Sequence, residues 1–212
     1  MTVATDDARF SQREASPTVK NLRRMTLKEF LTYDDGTDNR YELVDGMLVE
    51  MGAEATINTW IAGFLFGFFL QMGLPSYRIG FKQTISVRSS SATVRDPDLI
   101  IHSEDSAAAI ADRTEACLFF GEAAPLIVIE VVSPGSESSD NYQRDYVQKP
   151  REYADRRIAE FWQIDPKREW VRVLSLDGTD YAIATFKGEE PIVSPTFPEL
   201  KLTAEKVLAA GR

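Results

Sequence analysis

Two side chains common in metal centres are nearly missing: among 212 residues there is one cysteine, Cys117, and one histidine, His102. A single thiol excludes an internal disulfide and a cysteine-built zinc site, and points to a reducing cytoplasm. A single histidine, placed at the end of a strand over 99–102, leaves a serine triad without its base. No G-x-S-x-G elbow accompanies Ser133, Ser136, Ser138 or Ser139. Nor is there a phosphate-cradling loop, because Pro134-Gly135-Ser136 has neither the length nor the lysine. The longest apolar run, 60–74, falls short of the ~20 residues of a bilayer helix and predicts a buried helix, with no membrane as partner. Residues 1–20 are polar, lack the apolar core of a signal peptide and are expected to be poorly ordered. A basic excess is absent as well. The formal charge is −9, so the whole-molecule field repels nucleic acid, and any DNA contact needs a local basic patch, a bound metal or both.

What is present describes a globular chain. Apolar residues make up 43% and charged residues 27%, enough for one well-filled core. The reading is an arm over 1–24 followed by a single domain over 25–212. Thr26 and Glu29 have capping-box spacing ahead of a short helix. RYELVDGMLVEM, 40–51, puts Asp45-Gly46 between two alternating runs, the strongest short-range hairpin signal. A helix over 57–72 follows, with Gly63 and Gly67 four apart; packing close to a sheet is favoured there over a helix–helix dimer contact. Further on come a strand over 77–87, a strand over 99–102, a helical insertion within 103–124 and a strand over 126–132. A polar loop, a helix within 145–157, a strand over 160–166, an antiparallel extension and a closing helix complete the chain. This order predicts an α/β fold, a mixed central sheet flanked by helices with an added antiparallel C-terminal extension.

Two acids stand where packing gives no reason for them. Glu130 interrupts the β-branched run 126–132, and Asp98 heads Leu99-Ile100-Ile101. An unpaired buried charge costs several kcal/mol, roughly, so each needs a cation, a hydrogen-bond network or a metal ion. If the two strands are antiparallel neighbours, the start of one lies beside the end of the other and the carboxylates can meet. Hard oxygen donors so placed suit Mg2+ or Mn2+, with the Val131 carbonyl as a further ligand and Lys149 to orient or deprotonate water. Taken singly, Asp98 reads as a turn residue, Glu130 as half of an ion pair with Arg95, and Lys149 as an i,i+4 partner of Asp145.

Asp96-Pro97-Asp98, Glu130-Val131-Val132-Ser133-Pro134, Asp145-Tyr146-Val147-Gln148-Lys149 with Tyr153, and Glu160 through Pro166 together resemble the Uma-type family of restriction endonucleases. The opening hairpin and the segment SPTFPELKLTAEKVLAAG resemble that family too, so the likeness runs from Met25 to the end. It implies the PD-(D/E)XK nuclease fold and a Mg2+-dependent phosphodiesterase acting on DNA. Asp98 and Glu130 resemble the metal-holding acids and Lys149 the assisting lysine, moved from the usual place two residues after the glutamate, which Val132 holds. Glu42 resembles a family glutamate that ligates the metal or supports the residues that do. Pro150 departs from the family: the helix must begin near Lys149 or bend there.

Basic residues gather at Arg144, Lys149, Arg151, Arg156, Arg157, Lys167, Arg168 and Arg172, a candidate phosphate-facing surface or a solvated helix face. The expected function is a metal-dependent endonuclease, with homodimerisation through the 60–74 helix. The competing expectation is a nuclease-fold protein that has lost catalysis and binds or regulates.

Overall fold

A computed structural model describes residues 18–19, 23–52, 55–133 and 135–210. The expectation of a poorly ordered arm over 1–24 lies largely outside them. Within it, the strand β1 (Thr18–Val19) pairs antiparallel with β3 (Met47–Glu50).

Local signals place the early elements. Helix α1 (Leu27–Leu31) starts at a complete capping box: the Glu29 amide donates to the Thr26 hydroxyl at 3.2 Å, and the Thr26 amide donates to the Glu29 carboxylate at 2.8 Å. Strand β2 (Tyr41–Val44) turns back into β3 through Asp45 and Gly46, with φ of 48° and 80°. Two successive positive φ values define the type I′ turn that matches strand twist.

The α/β fold expected is present, with its strands divided between two mixed sheets where one central sheet was expected. The first has the order β1-β3-β2-β6-β5-β8, adding β5 (Thr84–Val87), β6 (Thr93–Arg95) and β8 (Cys117–Leu118). The second has the order β12-β11-β10-β9-β7-β4: β4 (Ile79–Gly80), β7 (Leu99–Ile101), β9 (Ile127–Val131), β10 (Glu160–Asp165), β11 (Trp170–Asp177) and β12 (Asp180–Phe186). The last two strands are the expected antiparallel extension. The expected strand over 77–87 is broken: a 3₁₀ turn over Ser76–Arg78 takes its first residues, and a bend with positive φ at Lys82 separates β4 from β5, which join different sheets. The segment 103–124 holds α3 (Glu104–Ile110) and also β8, whose two residues are too short a run to show an alternation.

Asp96-Pro97-Asp98 carries the chain from β6 in the first sheet to β7 in the second. Proline favours such a crossing because it cannot extend either ladder. On one face of the second sheet lies α2 (Thr56–Gln71), packing Ile61, Leu65 and Phe69 against Leu99, Ile101, Ile127, Ile129 and Trp162, with α6 (Ala204–Ala209) beside it. On the other face lie Ile100, Val128 and Phe161, covered by Tyr153, Ile158 and by Ile85 and Val87 of the first sheet. Strict alternation along β9 therefore sends Ile127, Ile129 and Val131 one way, and Val128 and Glu130 the other.

Close packing of Gly63 and Gly67 on a sheet is not observed. A Cβ added at either would meet nothing within 4 Å, and both glycines lie on the outward side of α2 with Trp60 and Leu70.

Parallel strands β9 and β10 are joined by a helical crossover. It runs as α4 (Asp140–Tyr142), a π-helical stretch over Gln143–Gln148 and α5 (Lys149–Asp155). The wide turn closes with the Lys149 amide donating to the Arg144 carbonyl five residues back. The next residue, Pro150, has no N–H to give, and sits in the first turn of α5, where none is needed.

Candidate active site

Extending the Leu99↔Ile129 register by one residue sets Asp98 opposite Glu130. Directly opposed residues share a face, here the one under α5. Asp98 Oδ2 accepts the Val131 amide at 2.7 Å, so its carboxylate lies against the backbone of the residue that follows Glu130. Asp98 thus accepts an amide of the neighbouring strand, beside the second acid, where the turn reading of it taken singly called for a local amide.

Glu130 is 5% exposed. Its Oε1 takes the Lys149 Nζ at 2.8 Å and the Tyr153 hydroxyl at 2.9 Å. Lys149 and Tyr153 are four apart on α5, so one helix face delivers both donors. The expected pairing of Glu130 with Arg95 does not form. Arg95 instead bonds Glu42 at 2.8 Å and makes a fork to both oxygens of Glu152 at 2.7 Å. Glu42 joins the two cations: Oε2 faces Arg95, while Oε1 lies 3.3 Å from Lys149 Nζ and accepts the Asp96 amide at 3.4 Å. Both its oxygens thus have partners, and through Oε1 Glu42 supports the lysine.

Three residues completing the cluster carried little sequence signal. Asp145 stands 3.7 Å from Lys149 Nζ, binds Arg144 through both oxygens and accepts the Ser133 amide at 3.4 Å. Gln163, level with Glu130 on β10, donates to the Asp145 carbonyl at 2.6 Å. Asn58, a lone amide in the first turns of an apolar helix, reaches across to the Val131 carbonyl at 3.3 Å. A glutamine interrupting EFWQID and an asparagine heading an uncharged helix were the available hints.

The electrostatics follow from burial against partners. Burial alone would raise Glu42, but Lys149, Arg95 and Arg144 overcome it and bring the carboxyl to about 2. Burial raises Glu130 above the usual carboxylate range, with Asp145 and Glu42 adding to it and Lys149 only partly offsetting it. Burial alone would lower Lys149, yet Glu130, Glu42 and Asp145 push it above the ordinary lysine value, so it is an ammonium at neutral pH. Burial, with Glu130 and Glu42, pushes the Tyr153 phenol well up, and it remains a donor.

Among Glu42, Glu130, Asp145 and Glu152, four carboxylates face three cations, Arg95, Arg144 and Lys149, and Glu130 has only the shared lysine. Asp98, Glu130 and the Val131 carbonyl are hard oxygen donors near one strand end, of the kind that Mg2+ or Mn2+ takes. Among the described residues, no group of three or more His, Cys, Asp or Glu is arranged to hold an ion. Two carboxylates completed by a carbonyl and waters is the manner of Mg2+.

His102 is closed off. Its ring nitrogens lie 3.0 Å from the Ser106 hydroxyl and 2.6 Å from Gln83 Oε1, and burial lowers it to about 4. Among the described residues, no helix is long and apolar enough to cross a membrane.

Comparison with known proteins places the chain in a family. Residues 27–205 match the Uma2 family model, described as "Putative restriction endonuclease". A crystal structure from Anabaena variabilis, described as a "putative nuclease belonging to DUF820", superposes with a TM-score of 0.64 at 17% identity, over 89% of this chain and 99% of that one. No curated protein matches. At such identity the superposition speaks for the fold alone, and the family model spans most of the sequence: the chain belongs to the Uma2 family of restriction-endonuclease-like proteins.

Proposed function

We propose that this protein is a metal-dependent endonuclease that hydrolyses DNA phosphodiester bonds, working in the cytoplasm. The observation that carries the reading is Asp98 set level with Glu130 on one sheet face, with the Lys149 ammonium 2.8 Å from Glu130.

In this reading Asp98, Glu130 and the Val131 carbonyl hold Mg2+ or Mn2+. The bound ion would supply acidified water and neutralise phosphate charge. The protein's own part is positioning. Tyr153 and Lys149 fix Glu130 through Oε1, and the Val131 amide fixes Asp98 through Oδ2. Asn58 occupies one lone-pair direction of the Val131 carbonyl. Lys149, kept protonated by three carboxylates, acts as a hydrogen-bond donor and positive charge towards the reacting phosphate, not as a base. Glu42 holds that ammonium at the end of Arg95 and shares in keeping it charged.

A second reading, a nuclease-fold module that binds or regulates without cleaving, is favoured by one observation: the Lys149 ammonium already stands where a cation would neutralise Glu130. Supercoiled plasmid incubated with Mg2+ or Mn2+ separates the two. Nicking by the wild type, lost in Asp98→Asn and Glu130→Gln together with Mn2+ binding by calorimetry, supports the nuclease. Equal cleavage in all three proteins, or none in any, sinks it.

The reading extends to a homodimer, since double-strand cleavage favours paired sites. Helix α2 carries no charged residue, and its outward side presents Trp60 at 53% exposure beside the open positions at Gly63 and Gly67. A monomer by light scattering at working concentration removes that extension.

A further inference from the structure

The register that aligns the acids continues across the sheet. Gln163 pairs with Glu130 on one side and with Arg172 of β11 on the other. Paired residues share a face, so Arg172 lies on the face of the active site, two strands from Glu130, or about 10 Å between backbones.

Its surroundings differ from those of every other arginine near the cluster. Arg95 and Arg144 are spent on Glu42, Glu152 and Asp145. Arg168 is spent on Asp165 at 2.7 Å and on the Gly135 carbonyl at 3.1 Å, tying down the loop after β9. Among the described residues Arg172 has no ion pair and no hydrogen bond, and its Nε is buried without a partner. What holds it is aromatic: the guanidinium carbon lies 4.3 Å from the centre of Trp170 and 5.9 Å from that of Tyr146. Tyr146 is itself fixed by a 2.5 Å hydrogen bond to Asp165 and by Tyr142 stacked at 4.4 Å. Two rings thus orient a planar cation while using none of its N–H groups. Trp170 is buried, so this is not a platform for bases; what is offered is the unspent terminal N–H groups of a preoriented guanidinium, whose natural complement is a phosphate.

We infer that Arg172 is a substrate-positioning residue that binds a backbone phosphate flanking the scissile one. The inference rests on the nuclease reading. On a chain of charge −9, an unpaired arginine on the face of the acids gives DNA one local positive charge against the general repulsion.

The test is fluorescence anisotropy with a labelled DNA duplex in Ca2+, over a salt series, on wild type, Arg172→Gln and Arg172→Lys, with plasmid cleavage in Mg2+ alongside. Arg172→Gln is expected to raise Kd by about tenfold and to flatten the salt dependence by about one charge. KM should rise, and kcat should stay within about twofold. Arg172→Lys should keep the salt slope and recover only part of the affinity, because it keeps the charge and loses the fork. If wild type binds and cuts while Arg172→Gln matches it in Kd and slope, this inference fails alone. A fall in kcat with unchanged slope assigns Arg172 a structural role and also overturns it. A wild type that neither binds nor cuts DNA removes the nuclease reading and this one together.

Discussion

Glu130 and Glu160 are both buried glutamates of the second sheet, on adjacent parallel strands facing opposite layers. Glu160 points to the α2 face and is enclosed by neutral donors: the Trp162 indole at 2.9 Å, the Ser194 hydroxyl at 2.9 and 3.0 Å, and the Thr196 amide. Glu130 points to the α5 face, takes both its bonds on Oε1, and one of them comes from an ammonium shared among three carboxylates. A carboxylate ringed by fixed neutral dipoles is a strut. One whose neutralisation is shared can exchange its partner for another cation, and that difference, more than burial, separates structure from chemistry.

Removing each charge in turn gives the widest expected separation. Glu130→Gln should lower plasmid cleavage by about a thousandfold, the order of losing several kcal/mol of metal-assisted stabilisation, while leaving a folded protein. Glu160→Gln should do the reverse, retaining cleavage per folded molecule and costing about 2 kcal/mol of stability as its amide meets donors it cannot accept from. Equal loss of cleavage in both would erase the distinction.

The next effect probes the shared cation. Lys149→Met leaves Glu42, Glu130 and Asp145 facing one another without their common partner, and urea unfolding should show a loss of about 3–5 kcal/mol. Adding Glu130→Gln to Lys149→Met should restore part of that loss, since one of the crowded charges is gone. Additive losses would mean the network is not coupled.

His102 asks whether the face or the partner decides. It shares the parity of Glu130 along the paired strands, yet its partners are the neutral Ser106 and Gln83. Burial lowers it from 6.5 to about 4, so as pH falls through that window the unfolded chain takes up a proton that the folded one refuses. Stability is full above 6.5 and declines by about 3 kcal/mol on the way to 4, a decline that His102→Gln should flatten. Unchanged thermal unfolding between those pH values would contradict it.

Much of this arrangement was legible in the chain. Asp45-Gly46 gave its hairpin, Thr26 and Glu29 their capping box, and the antiparallel guess for 99–102 against 126–132 brought Asp98 to Glu130, because alternation and register are properties of neighbouring residues. What was hidden depends on contacts between distant segments. Nothing local says that β5 and β8 leave for another sheet: β5 lies in the same alternating run as β4, and the two residues of β8 have no period. The partners of Arg95 could not be chosen among several acids without a fold. Pro150 looked like an obstacle to Lys149, because a π-helical turn ahead of a proline has no composition of its own. Gln163 was an ordinary residue, and Arg172 one of eight clustered basic residues, until the register set them in one row with Glu130.

The finest test makes the same small change on both faces. Tyr153→Phe and Ser194→Ala each delete one hydroxyl that donates to a buried glutamate. Either should cost about 1–2 kcal/mol in thermal unfolding, the value of a buried hydrogen bond to a charged acceptor. The stability losses should therefore not tell the faces apart. Cleavage should: Ser194→Ala loosens a strut that remains held by Trp162 and Thr196, and activity per folded molecule should stay at the wild-type level. Tyr153→Phe leaves Lys149 as the sole donor to Glu130 Oε1 and frees the carboxylate to turn, so kcat should fall by about tenfold, as a small misplacement of a reacting group does. Matching kcat values in the two variants would mean that Glu130, like Glu160, is held for the fold alone.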